Sequence, residues 1–173
     1  LTIEGMQHHV DPAMKALASD CDAHIDAQGA IASRNPEELL DVLTHLTWVQ
    51  KACAAVGREP ATAISNGVER IGPTLRALRH ADGGLTRFHG GGRGVDGKLD
   101  QALADAASRV AHTGDTAMGF ARLNGGRTSL IVDASPPPVT TNARRAHAST
   151  LAMELTSGRR PLIVNCGAGV SFG

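Results

Sequence analysis

The chain has 173 residues with 17 basic and 17 acidic side chains, no tyrosine, one tryptophan and three phenylalanines. Its formal net charge of zero and pI near 7.3 exclude the strongly basic surface that a nucleic-acid-binding chain presents over its whole length. The hydrophobic fraction of 42% is sufficient for a core, and the scarcity of aromatic residues makes that core aliphatic and alanine-rich.

The first half of the chain has the pattern of helices. Asp11 and Pro12 predict the start of a first helix that reaches about residue 25. Asn35 predicts an N-cap, Pro36 the first helical position and Gly57 the end of a second helix. One apolar face of this second helix is predicted to point inward, with Leu39, Val42, Leu43, Leu46, Val49 and Cys53.

A third helix is predicted over residues 60–80, with a kink at Pro73 because proline removes one backbone donor. Its predicted inner face consists of Ile64, Val68, Ile71, Leu75 and Leu78. Short connections favour an antiparallel arrangement of the three helices. None of them is long enough to be stable alone.

After residue 84 the pattern changes to strands and turns. A short strand over residues 85–89 and a short helix over residues 96–108 come first. Four strands are then predicted over residues 116–124, 126–134, 149–156 and 160–166. Turns are predicted at residues 124–126 and 157–159, and the three prolines of residues 136–138 predict a loop. The order indicates an α+β fold with a helical domain (1–83) and an antiparallel sheet domain (84–173).

Several candidate binding motifs are weak. The glycine-rich residues 90–94 lack the Lys-Ser/Thr pair of a phosphate-binding loop, so a flexible connector is the favoured interpretation. His8, His9 and His24 lack the partner spacing of a metal site, and His80 is interpreted as a surface or groove residue of a helix. Three cysteines in an odd, widely spaced set predict neither a disulfide framework nor a zinc ribbon.

No membrane-spanning run or signal peptide is expected from the pattern, and we expect the chain to be a fragment of a longer protein.

His147 has a more distinctive setting, beside Arg144 and Arg145 and near Asn142. Neighbouring guanidiniums disfavour a charged imidazole, so a neutral ring that accepts a proton is expected. The arginines are suited to hold a carboxylate or sulfate. The alternative from the residues alone is a histidine at a hairpin mouth, hydrogen-bonded to backbone. Leu151, Met153 and Leu155 share one strand face, which is interpreted as the core face.

The segment AHASTLAMELTSGRRPLIVNCG, residues 146–167, resembles the sheet domain of the heparinase II/III-like family. GAIASRNPEELLDVL and LRALRHADGGLTRFHGGG resemble that family's last helices and its crossing into the sheet domain. The resemblance covers roughly residues 26–173.

The resemblance implies the end of an α/α toroid, followed by an antiparallel β-sandwich with an active site between them. It implies a polysaccharide lyase that cleaves uronic-acid-containing, glycosaminoglycan-like chains by β-elimination. Such chemistry requires neutralisation of the C5 carboxylate, a base for the C5 proton and an acid for the leaving oxygen. The family's sheet-domain histidine falls on His147. The implied substrate-binding residues are Arg34, Asn35, Asn142, Arg144 and Arg145.

Three positions differ from the family pattern. Ile31 stands where histidine is usual, Ser149 stands where aspartate is expected, and the chain contains no tyrosine to match the family's catalytic one. The fragment alone is therefore not expected to be an active lyase. The alternatives are a catalytically inactive polysaccharide-binding or scaffolding relative, and an α+β module that uses its helices for assembly.

The expected partner is an anionic polysaccharide, with no nucleic acid and no membrane, and homo-oligomerisation is left open. No cofactor is expected, although some relatives carry a structural divalent metal. His147 is expected to be partly exposed in a groove between the two halves. The resemblance points to the periplasm or cell envelope of a bacterium, whereas free cysteines also fit the cytoplasm.

Overall fold

A computed structural model describes residues 5–107, 110–139, 146 and 150–166. In these residues four helices precede a five-stranded antiparallel sheet, which confirms the predicted α+β class. The helices are α1 (Val10–His24), α2 (Pro36–Ala55), α3 (Thr62–Ala77) and α4 (Lys98–Asp105). The strands are β1 (Thr116–Ala117), β2 (Phe120–Gly125), β3 (Thr128–Asp133), β4 (Met153–Ser157) and β5 (Arg160–Ile163), adjacent in that order.

The two helix starts predicted from Asn/Asp-Pro pairs differ in outcome. Helix α2 begins at Pro36 as predicted, and the Asn35 side chain accepts hydrogen bonds from the amides of Glu37 and Glu38 at 2.9 and 3.2 Å. The prediction for α1 is wrong, because a 3-10 turn over Gln7–His9 leads directly into Val10. Asp11 therefore lies in the first turn and does not cap the helix.

Helix α3 packs against both α1 and α2 and supplies the centre of the helical core. It is shorter than predicted at both ends and continues through Pro73 to Ala77. All five of its predicted inward residues are buried: Ile64, Val68, Ile71, Leu75 and Leu78. On α2 the predicted Leu39, Leu43, Leu46 and Cys53 are buried, whereas Val42 and Val49 are only partly buried.

The strand predicted over residues 85–89 is absent there, and only an isolated bridge joins Leu85 to Arg79. The backbone amide of Leu85 donates to the Arg93 carbonyl and that of Thr86 donates to the Leu78 carbonyl. Because these amides bond to a loop and to the end of α3, this segment is a connection packed against the helices.

Residues 116–124 are not one strand, as predicted, but a tight hairpin of β1 and β2. Met118 and Gly119 form its turn with φ values of 53° and 81°. The chain reverses here because both residues adopt left-handed backbone conformations that a strand cannot contain. The hairpin directs Phe120 into the core, where its ring stacks on Phe88 at 4.5 Å between centroids.

The β4–β5 hairpin is confirmed, with antiparallel pairing from Leu155–Ile163 to Ser157–Arg160 around a turn at Gly158. The assignment of its faces is wrong. Leu151 and Met153 are exposed, and Leu155 is only partly buried. Glu154 and Thr156, which alternate with Met153 and Leu155, are buried on the face toward the helices.

One apolar cluster contains helix residues together with Phe120 and Ile131 of the sheet. The division into two domains at residues 83 and 84 stays a prediction, as do the toroid and the sandwich. Within the described residues, no helix combines the length and hydropathy needed to cross a bilayer.

Candidate functional site at the helix–sheet junction

Asp133, at the end of β3, is the centre of a buried polar cluster between the helices and the sheet. Its side chain is fully buried, and its Oδ2 lies 2.9 Å from His89 Nε2. Its Oδ1 accepts from the Arg34 guanidinium and from the Ser135 amide. A buried carboxylate requires such partners because water cannot solvate it. The arrangement joins the α1–α2 loop and the loop after α3 to one strand end.

Arg34 uses its whole guanidinium inside the protein. Beyond Asp133, its Nε donates to the Met118 carbonyl at 3.0 Å and its Nη1 donates to the Pro136 carbonyl at 2.7 Å. The guanidinium also lies 4.7 Å from the centre of the Phe120 ring. Arg34 was predicted to bind substrate, and its donors here bind the β1–β2 turn and the start of the three-proline segment.

Backbone strain is concentrated in the same cluster. Arg34, His89 and Met118 have φ values of 53°, 49° and 53° although none of them is glycine. Each such conformation costs of order 1–3 kcal/mol and persists only where surrounding contacts hold it. The hydrogen bonds around Asp133 provide those contacts, so the cluster holds the backbone of three separate segments in place.

A second buried pair lies one strand away. His80 Nε2 is 2.8 Å from Glu154 Oε2, and both side chains are almost completely buried. The other carboxylate oxygen, Oε1, accepts from the Asn165 amide at 3.0 Å and lies 3.6 Å from the Arg87 guanidinium. His80, predicted to be a surface or groove residue of a helix, therefore joins the end of the helical segment to the middle of the sheet.

Arg122 of β2 adds a third link. Its Nε donates to the Ala77 carbonyl and its Nη2 to the Arg79 carbonyl, while Nη1 donates to the Ser129 hydroxyl. Burial lowers the pKa of this guanidinium. The carbonyls at the end of α3 are electronegative, so a cation at this position stabilises the helix terminus as well as the junction.

The glycine loop, residues 90–94, is packed on the N-terminus of α2. The Gly92 amide donates to Glu37 Oε2 at 2.7 Å, and the Gly91 amide donates to the Phe88 carbonyl. A Cβ atom at Gly91 would lie 2.5 Å from Asn35 Oδ1, so a side chain would displace the cap. These contacts support the interpretation as a connector and leave little of the loop available to cradle a phosphate.

An open groove of about 450 Å³ lies beside the Asp133 cluster, between the end of α1 and the β1–β2 turn. His24, Asp26, Gln28, Arg34, Gly119 and Ser135 are among its lining residues. Asp26 Oδ1 accepts from the amides of Gln28 and Ala30, so its carboxylate is engaged in a local turn. Across the described part of the chain, no three His, Cys, Asp or Glu side chains converge as a metal site would require.

The structure gives different outcomes for the predicted site residues. Arg34 belongs to the Asp133 cluster and Asn35 caps α2. His147, Asn142, Arg144 and Arg145 lie outside the described residues, and their roles stay predictions. The predictions missed His80, His89, Asp133 and Glu154. One signal was present in the sequence, because Asp133 and Glu154 each occupy a strand position among apolar neighbours, where a buried carboxylate needs a distant partner.

Replacing Asn35 with alanine is expected to lower the free energy of unfolding by about 0.5–2 kcal/mol, because two α2 amides lose their acceptor. Asn35→Asp keeps an acceptor and should restore most of that loss. Urea unfolding followed by circular dichroism measures the effect, with the exposed helical Asn66→Ala as the matched control. Equal stability of Asn35→Ala and Asn66→Ala would contradict the capping role.

Comparison with known proteins finds a family model and a relative that are similar to parts of the chain. Residues 114–173 match the family model "Heparinase II/III-like, C-terminal". FtsZ-localized protein C of Caulobacter vibrioides (strain NA1000 / CB15N) is 32% identical to the chain over 160 residues. The alignment covers 91% of this chain and 28% of that protein, so the chain spans less than a third of the relative's length. No solved structure matches the chain. The sheet region, residues 114–173, is therefore similar to the C-terminal domain of heparinase II/III-like proteins.

Proposed function

We propose that this chain is part of a protein that binds an anionic, uronic-acid-containing polysaccharide through a heparinase II/III-like fold without cleaving it. The proposal rests on the side chains buried at the junction between the helices and the sheet, where the family resemblance predicts the catalytic cleft. His80, His89, Asp133 and Glu154 are buried there in pairs with each other. Side chains engaged in this way hold the helices and the sheet together.

Elimination requires more than this junction offers. A base must come within about 2.6–3.2 Å of the proton it removes, and an acid must reach the leaving oxygen. The buried histidines are already paired with carboxylates, and the Arg34 guanidinium is engaged by Asp133 and two carbonyls. The geometry therefore favours recognition over cleavage.

The lyase function is the second candidate, and the family match to residues 114–173 favours it. In that version His147 transfers a proton or neutralises the C5 carboxylate, while Asn142, Arg144 and Arg145 contact substrate. The missing tyrosine would then come from a part of the protein outside this chain. The same family fold serves both candidates, so a direct assay has to separate them.

The experiment uses the full-length protein and a sulfated, uronic-acid-containing oligosaccharide such as a heparin fragment. Binding is measured by calorimetry, and elimination is measured by the ultraviolet absorbance of the unsaturated uronate that it produces. Binding without new absorbance is the expected result. Product formation at a steady rate would overturn the non-cleaving proposal, and absence of binding would overturn both candidates.

The lyase candidate makes its own prediction for His147. If the full-length protein eliminates, His147→Ala is expected to reduce the rate by roughly 10²-fold or more, as for loss of a general acid or base. The melting temperature should change little. The check is the absorbance assay beside a thermal scan, with His112→Ala as a histidine control outside the proposed cleft. Unchanged turnover would remove the catalytic role of His147.

The relative suggests a cellular context for the binding role. Its name describes it as localised with FtsZ, and the alignment covers 91% of this chain. We infer that the protein containing this chain also localises with FtsZ and acts there as a scaffold. A fluorescent fusion is expected to follow the FtsZ ring and to disperse when FtsZ is depleted. A fusion whose position is unaffected by FtsZ depletion would contradict this inference.

A further inference from the structure

We propose that the tips of the β2–β3 and β4–β5 hairpins form a binding site for the sulfate or carboxylate groups of an anionic polysaccharide. The site consists of Arg127, Arg159 and Arg160, here called the arginine tip. The proposal rests on the polysaccharide-binding function proposed above and names the surface that performs it. None of these three residues belongs to the Asp133 or Glu154 clusters.

Strand pairing brings the three arginines together although they are separated in sequence. Thr128 is in register with Ser157, and Ser157 is in register with Arg160. The Gly158 amide donates to the Arg127 carbonyl at 2.6 Å, which fixes one turn against the other. Adjacent strands are about 4.8 Å apart, so a single ligand can contact both turns.

Gly158 provides the space in which the Arg127 side chain crosses to the neighbouring turn. A Cβ atom at Gly158 would lie 3.3 Å from Arg127 Nη2 and 3.8 Å from Nε. Gly158 also has a φ of 57°, which favours glycine at this position. The guanidinium of Arg127 therefore lies against the β4–β5 turn that carries Arg159 and Arg160.

The three guanidiniums have no counter-charge among the described residues. Within the part of the chain that the structure describes, no carboxylate lies within ion-pair distance of any of them. Other arginines of the chain do have such partners, in the pairs Arg34–Asp133, Arg58–Asp11, Arg79–Asp100 and Arg93–Asp82. Unpaired like charges repel, so a cluster of three is most stable when an external anion binds it.

The surroundings of the arginine tip suit a sugar polymer. The tip lines an open groove of about 760 Å³ together with Ser157, Pro161 and Leu162. Guanidinium groups bind sulfate and carboxylate through two parallel hydrogen bonds. Pro161 and Leu162 are exposed and present apolar surface to the C–H face of a sugar ring. A polymer with regularly spaced oxyanions can contact several arginines at once.

The arginine tip is distinct from the junction. Phe120 begins β2 beside the Asp133 cluster, and Gly125 ends β2 at the tip. Five residue steps of antiparallel strand separate these ends by about 17 Å. Removal of charge at the tip should therefore leave the buried pairs of the junction intact, which allows binding to be changed without loss of the fold.

The test measures heparin-oligosaccharide binding by the full-length protein and by Arg127→Gln, Arg159→Gln, Arg160→Gln and the triple variant. Each single variant is expected to bind about threefold or more weakly, and the triple variant about 30-fold or more weakly. Arg160→Lys should fall between wild type and Arg160→Gln because it keeps charge but loses the planar pair of donors. Lys15→Gln is the matched control, since it removes one exposed positive charge on α1.

The outcomes separate this site from the proposed function. If the triple variant binds the oligosaccharide within twofold of wild type, the arginine tip is overturned and the polysaccharide function stands.

If wild type binds no oligosaccharide, the proposed function fails, and titration with inorganic sulfate then decides whether the arginine tip is an oxyanion site. Sulfate-induced shifts of the arginine Nε–H resonances that vanish in the triple variant would support an oxyanion site, and their absence in wild type would overturn it. Equal affinity for single-stranded DNA at the same salt concentration would overturn the polysaccharide assignment of the ligand.

Discussion

Replacing Asp133 with alanine is expected to lower the free energy of unfolding by about 3–5 kcal/mol, the typical effect of removing one partner of a buried ion pair. The carboxylate is fully buried and contacts both Arg34 and His89. Its loss leaves a guanidinium that is only 11% exposed without its counter-charge. The strained backbone at Arg34 and His89 also loses the contact that holds it. Urea unfolding followed by circular dichroism measures the change.

Two variants make the Asp133 result specific. Asp115→Ala removes an exposed carboxylate of the same type and should change stability by less than about 0.5 kcal/mol. Arg34→Met in the Asp133→Ala background removes the uncompensated charge and should recover part of the loss. The effect of Arg34→Met is also measured in the wild-type background. If Arg34→Met lowers stability equally in both backgrounds, the two side chains act independently.

Replacing Leu43 with alanine is expected to lower the free energy of unfolding by about 2–5 kcal/mol. Leu43 is completely buried on α2, in the cluster that includes Leu39 and Ile71. The change removes buried methyl groups and the free energy of transfer that they contribute. It also leaves a cavity that the neighbouring helices only partly fill. The measurement is the same urea unfolding experiment, with the far-ultraviolet signal of the helices as the readout.

Leu123→Ala is the matched control for Leu43→Ala. Leu123 lies on the outer face of β2 and is 60% exposed, so its truncation creates no internal cavity. Its effect should remain below about 1 kcal/mol. A loss below 1 kcal/mol for Leu43→Ala would contradict its place in the core. A comparable loss for Leu123→Ala would instead indicate that the outer face of the sheet is covered in the full-length protein.

The helices could be predicted because their signals are local. The start of α2 is specified by residues of the same segment. Asn35 caps the helix, Pro36 is its first residue, and two acidic residues lie in its first turn. The start of α1 was mispredicted because a 3-10 turn is a competing local solution for the residues before Val10. The β1–β2 hairpin was missed because Met118, a residue with no turn signal, adopts a positive φ beside Gly119.

The candidate site was less predictable, because its partners are far apart in the chain. His80 and Glu154 are separated by 74 residues, and Arg34 and Asp133 by 99. No local pattern links them. Arg34 and Asn35, which the family resemblance implies as substrate-binding residues, are both close to the junction. Their hydrogen bonds hold the Asp133 cluster together and cap α2 instead.

The α+β order, the inner faces of α2 and α3, the β4–β5 hairpin and the resemblance of the sheet region to a known family can be read from the sequence alone. These features depend on periodicity, capping and turn residues that act within a few positions. Which face of β4 lies inside depends instead on contacts between parts of the chain that are far apart in sequence. Alternation indicated Leu151, Met153 and Leu155, whereas Glu154 and Thr156 are the buried residues. The physical reason is that a carboxylate can be buried only where a distant histidine or arginine meets it, and the fold alone brings them together.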